Sequence, residues 1–261
     1  MKKYQALLID VDGTLVRKDR SISQPVIEAI QLARKSGLQI CLSTGRAWVA
    51  LTAILDQIGW AGAHIVAGGA QVADGLTKQI VWEKNMTSAD VKWLYQEVLK
   101  RQGGVVIVRN DALYTYDQLL DRFHHHPWHI PAKNVDELQD DWTSPLVSVH
   151  QINSELAQFL TTQTRLHAVK MKSLDGIDYY DVTAAGVTKQ AGLLAWSKYL
   201  QLPLDRAAAI GDGLNDRELL GLVGWPVAMG NAVPEIKAVT KMEVASNEQD
   251  GVAELIHWLL I

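Results

Sequence analysis

The sequence holds a single cysteine, Cys41, among 261 residues, which rules out a disulfide framework and a cysteine-based metal site. It also lacks any basic run that could track a phosphate backbone. Lys and Arg are spread along the chain and the net charge is −4, which argues against nucleic acid as a partner. No apolar stretch approaches the length of a membrane-spanning helix. Met1-Lys2-Lys3 could open an export signal, but the apolar run Ala6-Leu7-Leu8-Ile9 stops at Asp10, too soon for one. Internal repeats and low-complexity segments are missing as well. These absences point to a cytoplasmic protein, a monomer or weak homodimer, with neither nucleic acid nor membrane as partner. What is present is ordinary for a folded chain, 48% hydrophobic and 21% charged residues, and the length suits one large domain or a core with an insertion.

Short apolar runs alternate with amphipathic stretches of helix length. Strands are expected at Tyr4 to Ile9, Leu38 to Leu42 and His64 to Ala67, with helices at Gln24 to Lys35 and about Ala47 to Gln57 between them. That rhythm predicts a parallel sheet covered by helices on both faces. A hairpin follows, with Asp74-Gly75 at its turn. From about Glu83 to Asp181 the rhythm changes. A helix over Thr87 to Arg101, with Ser88 as its cap, precedes a hairpin around Asn110-Asp111. Then come a helix over Asp117 to His126, a strand over Leu146 to Gln151, a helix over Ser154 to Gln163 and a strand pair around Asp175-Gly176. Helices mixed with hairpins predict an α+β module inserted into the first domain. The first rhythm resumes with helices at Lys189 to Tyr199 and Asp216 to Leu222 and strands at Ala207 to Ile210 and Trp225 to Ala228. A helix near Pro234 to Val239, a short strand at Glu243 to Ala245 and a terminal helix from Gly251 complete it.

Four segments at strand ends or helix starts carry groups suited to one chemistry. The first strand ends in Asp10-Val11-Asp12-Gly13-Thr14. Ligands bind beyond the carboxyl ends of strands in an open parallel sheet, and Gly13 permits the sharp exit that brings Asp12 over the same place. Two close carboxylates suit a hard cation; the same pattern also fits a plain strand-end turn. Ser43-Thr44-Gly45-Arg46 runs from the second strand into a helix, where a hydroxyl and free N–H groups suit a phosphate oxygen or simply a helix cap. Gly211-Asp212-Gly213-Leu214-Asn215-Asp216 adds two acids and an amide at another strand end, as metal ligands or as a Gly-Asp turn with a cap. Lys189 opens a helix after Gly186-Val187-Thr188, against the helix dipole unless an anion neutralises it; a surface lysine is the common alternative. Together, and in order on one alternating sheet, the four supply a nucleophile, a hydroxyl, a cation and metal ligands for phosphoryl transfer.

On these residues the sequence resembles the haloacid dehalogenase superfamily of phosphatases, in particular the Cof-type group with a type IIB α/β cap. Asp10 to Thr14 resembles its first motif, Thr44-Gly45-Arg46 the second, Lys189 in Gly186-Val187-Thr188-Lys189 the third and Gly211 to Asp216 the fourth. Ala228-Met229-Gly230-Asn231-Ala232, Ser246-Asn247 and Asp250-Gly251-Val252 resemble the group's ending, so the likeness spans the chain. Gly68-Gly69-Ala70 departs from the usual Asn-Gly-Ala. The resemblance implies a Rossmann-like parallel-sheet core over residues 1–83 and 183–261, with an α+β cap inserted over residues 84–182. It implies a Mg²⁺-dependent phosphatase acting on small-molecule phosphate esters, sugar phosphates first, through an aspartyl-phosphate. In that reading Asp10 is the nucleophile and Asp12 the general acid and base. Thr44, Gly45, Lys189 and Asn215 hold the phosphoryl oxygens. Asp10, Asp212, Asp216 (directly or through water) and the main-chain carbonyl of Asp12 ligate the metal. A sugar phosphomutase or phosphotransferase uses the same core, and a non-catalytic phospho-accepting regulator is the third reading, which Asp12, Lys189 and Asp212 together oppose.

Phe123-His124-His125-His126-Pro127-Trp128-His129 invites a metal-site reading, but adjacent residues on a helix point in different directions. They are expected to be structural, with one ring near substrate only if the segment faces the core. Arg46 is expected either at phosphate or in an ion pair, and most of the nine tryptophans in cores.

Overall fold

The computed structural model describes residues 4–125, 129–173 and 176–261. Met1 to Lys3, His126, Pro127, Trp128 and Asp175, on which some sequence expectations fall, lie outside the described residues.

The first segment runs β1 (Ala6–Asp10), α1 (Gln24–Lys35), β2 (Gln39–Ser43), α2 (Trp48–Ile58), β3 (Ala63–Val66), β4 (Gln71–Asp74) and β5 (Gln79–Glu83). All five residues of β1 are buried, as expected of a strand with neighbours on both edges and helices over both faces. In α1, Ser23 caps the first turn by accepting from Val26 N. The helix buries Val26, Ala29, Ile30 and Ala33, a single stripe at helical spacing. The chain then builds α3 (Ser88–Lys100), β6 (Gly104–Val108), β7 (Leu113–Thr115), α4 (Asp117–His124), β8 (Ala132–Asn134), β9 (Val147–His150), α5 (Ser154–Thr162), β10 (Leu166–Lys172) and β11 (Asp178–Ala184). It returns through α6 (Lys189–Leu200), β12 (Ala207–Gly211), α7 (Arg217–Leu220), β13 (Trp225–Ala228), α8 (Pro234–Lys237), β14 (Met242–Glu243) and α9 (Gly251–Leu260).

The eight-stranded sheet has the order β14-β13-β12-β1-β2-β3-β4-β5. It is parallel from β14 to β3, and β4 and β5 join antiparallel. Successive strands leave β1 through β2 on one side and, after the long excursion, through β12 on the other, so a topological switch point lies beside β1. A crevice forms at the carboxyl ends there, and Asp10, Ser43 and Gly211 stand at those ends. The six-stranded sheet has the order β10-β11-β9-β6-β7-β8. Its two faces separate by the two-residue strand period. Val105, Ile107, Val147, Val149, Tyr180 and Val182 pack with Val91, Leu94 and Val98 of α3 and Leu156 and Leu160 of α5. Val106, Ser148, His150, Tyr179, Asp181 and Thr183 line a cavity shared with the first sheet. Mixed α/β architecture around a parallel sheet is therefore the fold class, as expected.

Several local expectations need correction. Thr87, not Ser88, caps α3: its Oγ1 accepts from Asp90 N at 3.1 Å, while Ser88 Oγ accepts from Trp142 N at 2.9 Å. The helix expected over Asp216 to Leu222 is a 3₁₀ turn at Leu214–Asp216 followed by the four-residue α7. β8 was not foreseen, because Ala132-Lys133-Asn134 shows no apolar alternation; it pairs parallel with β7. The last strand before the return, β11, runs on to Ala184.

Candidate active site

Asp10 leaves the end of β1 with 7% of its surface exposed. Lys189, the first residue of α6, is 5% exposed and reaches it: Nζ lies 2.6 Å from Asp10 Oδ1 and 2.6 Å from Asp216 Oδ1. The lysine that opposes its own helix dipole is thus neutralised by two buried carboxylates. A close backbone approach brings α6 this near. A side-chain carbon on Gly69, at φ +95, would collide with the Thr188 carbonyl, so only glycine lets the turn after β3 seat against the helix start.

Asp212, at the end of β12, accepts from Thr14 Oγ1 at 2.7 Å. Asp216 turns its Oδ2 back to the main-chain N–H groups of Asp212 and Gly213, each at 3.2 Å. Carboxylate oxygens of Asp10, Asp212 and Asp216 all lie within 4.8 Å of one another. Three acids against one lysine leave negative charge uncompensated. Burial, then the neighbouring Asp216, pushes the Asp10 carboxyl well above its ordinary range, against the pull of Lys189. Burial and Asp216 likewise push Asp212 up to about 7. The Lys189 ammonium gains from both acids more than burial takes away, and its pKa rises. An oxygen-rich cluster that carries excess negative charge in a sheltered place suits a hard divalent cation.

Both raised carboxyls make the metal-free protein pH-sensitive. A folded-state pKa above the unfolded value means that the native chain binds more protons, so stability falls as pH rises between about 4 and about 7. Melting in a chelator is expected to drop by several degrees between about pH 5 and about pH 8. A flat profile contradicts the assigned charge balance.

Asp12 does not join this cluster through its side chain. Its two carboxylate oxygens meet Arg46, with Nε 2.8 Å from Oδ2 and Nη2 2.5 Å from Oδ1; of the two expectations for Arg46, the ion pair is what forms. The ligand expected of Asp12 is its main-chain carbonyl, so the pairing leaves that expectation open. The loop that carries Asp12 is tied from the far end of the chain. Asn231 Nδ2 donates to the Gly13 carbonyl at 2.8 Å and Asn247 Nδ2 to the Val16 carbonyl at 3.0 Å. Arg17 and Ser23 both bind Asp250 Oδ1. The C-terminal residues therefore have a mechanical task beside the site.

Thr44 is buried, and its Oγ1 accepts from Arg46 N at 3.1 Å. Thr44, Gly45, Lys189 and Asn215 line the cavity with Asp10, Asp12 and Asp212. The cavity holds about 970 Å³, at the upper end for small-molecule sites. Val106, Val108, Leu113, Phe123, Ile130 and Leu146 make its apolar side. Gly68, where this sequence departs from the resemblance, sits at φ +65 on the wall.

Sequence reasoning missed the polar face of the second sheet. Asp181 is 7% exposed, accepts from Ser148 Oγ at 2.5 Å and is pushed up to about 7 by burial, against the Ser148 bond. His150 and Tyr179 stack beside it with ring centroids 5.4 Å apart, and burial holds His150 down to about 4. The signal was the polar alternation Ser148/His150 and Tyr179/Asp181/Thr183 opposite apolar neighbours. The histidine run contributes no such group among the described residues. His124 Nε2 lies 3.4 Å from the Ala132 carbonyl and His125 Nδ1 2.9 Å from the Asp121 carbonyl, while Arg122 and Phe123 line the cavity.

A family model described as haloacid dehalogenase-like hydrolase matches residues 7–256. The chain is 27% identical over 271 residues to 5-amino-6-(5-phospho-D-ribitylamino)uracil phosphatase YitU of Bacillus subtilis, covering 97% of each chain. It is 27% identical over 264 residues to the HMP-PP phosphatase of Yersinia pseudotuberculosis, covering 98% of this chain and 96% of that one. Among solved structures it resembles a haloacid dehalogenase-like hydrolase from Bacteroides thetaiotaomicron (TM-score 0.87, 18% identity, 98% and 99% covered). It also resembles the HAD subclass IIB sugar phosphatase BT4131 (TM-score 0.81, 24% identity, 98% and 100% covered). With strand-end carboxylates gathered around a buried lysine and a family match over nearly its whole length, the chain belongs to the haloacid dehalogenase-like hydrolases, as a phosphatase of the Cof-type group.

Proposed function

We propose that this protein is a Mg²⁺-dependent phosphatase of small phosphorylated metabolites, sugar phosphates first among them, that works through an aspartyl-phosphate on Asp10. The observation that carries the reading is Lys189 bridging Asp10 and Asp216 at the switch point of the sheet, with Asp212 in the same cluster. Asp10, Asp212 and Asp216, with the main-chain carbonyl of Asp12, would hold Mg²⁺. The bound ion supplies positive charge that offsets the repulsion between an attacking carboxylate and a phosphate dianion.

In the first step a carboxylate oxygen of Asp10 bonds to phosphorus and the bond from phosphorus to the alcohol oxygen breaks. That oxygen takes a proton from Asp12. In the second step Asp12 accepts a proton from water, the hydroxide bonds to phosphorus, and the bond to Asp10 breaks to release phosphate. Both oxygens of Asp12 engage Arg46, so this pair must part before Asp12 serves the leaving oxygen. Lys189, Thr44, Gly45 and Asn215 would hold the phosphoryl oxygens, where preorganised donors stabilise the charge that develops. Residues 1–83 and 183–261 would act as the core and residues 84–182 as a cap that closes on bound ester and shuts out bulk water.

Phosphate release from a panel of sugar phosphates and an aryl phosphate, with Mg²⁺ and with EDTA, tests the reading. Release is expected to fall by at least about 100-fold on chelation. Undiminished hydrolysis in EDTA overturns the metal-dependent mechanism.

A further inference from the structure

One buried carboxyl group in the cavity has no task in the reaction just described. Asp181 stands on β11, in register with Ser148 of β9, on the face turned toward the core. Ser148 Oγ donates to its Oδ1 at 2.5 Å. Among the described residues, Oδ2 accepts no hydrogen bond and no cation pairs with it. That oxygen lies 2.8 Å from the point where a side-chain carbon on Gly45 would stand. A carboxyl group from one sheet therefore rests against the strand-end loop of the other. The loop is the one expected to cradle the phosphoryl oxygens, and Asp12 and Lys189 are near enough for their charges to bear on Asp181.

A structural role alone explains this poorly. Its Oδ2 is not sealed in the core but opens on the cavity, and a carboxyl group held this far out of water with one oxygen unpaired within the protein adds little to stability. Ser148 holds the group in one orientation and leaves the other oxygen toward the cavity. His150 and Tyr179, stacked on each other, line the same cavity. If Gly45 cradles the phosphoryl group as proposed above, the first carbons of a bound ester's alcohol would lie beside Asp181 Oδ2.

We propose that Asp181, positioned by Ser148, is a specificity-determining residue whose free carboxyl oxygen binds a hydroxyl group on a carbon next to the phosphorylated one. This rests on the phosphatase reading and deepens it: favoured substrates are phosphate esters of polyhydroxylated alcohols. An ester without that hydroxyl leaves Asp181 buried and incompletely paired. Sites built to bind a substrate hydroxyl reject analogues that lack it by large factors.

The test uses the full chain, wild type and Asp181→Ala, Asp181→Asn and Ser148→Ala, each checked by melting. The substrates are a sugar phosphate, its analogue deoxygenated next to the phosphoester, and an aryl phosphate. In the wild type, removing the hydroxyl is expected to lower kcat/KM by about 10-fold or more. In Asp181→Ala the ratio of kcat/KM for the sugar phosphate over its deoxy analogue falls to near one. Asp181→Asn retains an accepting oxygen and lies between. Ser148→Ala shifts the ratio in the same direction by a smaller factor, and it serves if Asp181→Ala does not fold. A ratio that stays at the wild-type value in the folded variants overturns the assignment to Asp181 and leaves the phosphatase reading standing. Failure of the wild type to hydrolyse any of the three esters overturns the phosphatase reading and Asp181 with it.

Discussion

Replacing Asp10 by asparagine is expected to lower phosphate release by about 1,000-fold or more, while the protein stays folded. The amide has nearly the shape of the carboxylate it replaces but no anionic oxygen to bond to phosphorus, so the covalent step has no donor. The fold survives for an electrostatic reason. Asp10 is a buried acid whose ionised form is disfavoured by burial and by Asp216, and Lys189 keeps Asp216 as a partner at 2.6 Å when Asp10 is neutralised. Melting within a few degrees of the wild type, beside the lost activity, is the expected pair of results. Residual turnover within about 10-fold of the wild type would remove Asp10 from the nucleophile's place.

Lys189→Ala is expected to damage both stability and activity. The side chain is 4% exposed and is the cation that both Asp10 and Asp216 touch. Without it two carboxylates remain buried against each other with Asp212 close by. Removing one partner from a buried ion pair costs about 3–5 kcal/mol, which lowers the melting temperature by roughly 10 °C in a chain of this size. The loss is expected to shrink at lower pH. Asp10 and Asp212 already bind protons more readily folded than unfolded, with Lys189 pulling against it, so without the ammonium stability rises further as pH falls toward the unfolded carboxylate range. Activity falls by about 100-fold or more as well, because a donor to the phosphoryl oxygens goes with the ammonium. Unchanged melting would mean that the lysine is not the cluster's counter-ion.

The parts of this site that were legible in the sequence are those whose neighbours are local. Asp10 and Asp212 could be placed because each ends a run of buried strand residues. Lys189 stood out because a cation is unfavourable at a helix start. The parts that were hidden depend on partners far along the chain. Nothing near Arg46 announces that its guanidinium grips Asp12, 34 residues away. The pairing of Ser148 with Asp181 needs the register of β9 on β11. Asn231 and Asn247 read only as parts of a resemblance until their amides were seen on the Gly13 and Val16 carbonyls. The fold was legible in its rhythm, and the misses fell where rhythm is weakest. One was the three-residue strand at Ala132–Asn134, too short for a period to show, and another the length of the helix expected over Asp216 to Leu222, of which only Arg217–Leu220 is α-helical.

The central claim is that phosphate passes through a covalent bond to Asp10, and trapping that bond tests it most directly. An Asp12→Asn variant, slowed in the water step, would be mixed with Mg²⁺ and an aryl phosphate, whose leaving oxygen needs no proton from residue 12, then acid-quenched within the first turnover and digested for mass analysis. The account predicts a phosphoryl-sized mass increase on the peptide that contains Asp10, absent when Asp10 is also changed to Asn. A phosphoryl group found on any other residue, or free phosphate formed at the wild-type rate with no labelled peptide at any quench time, would contradict it.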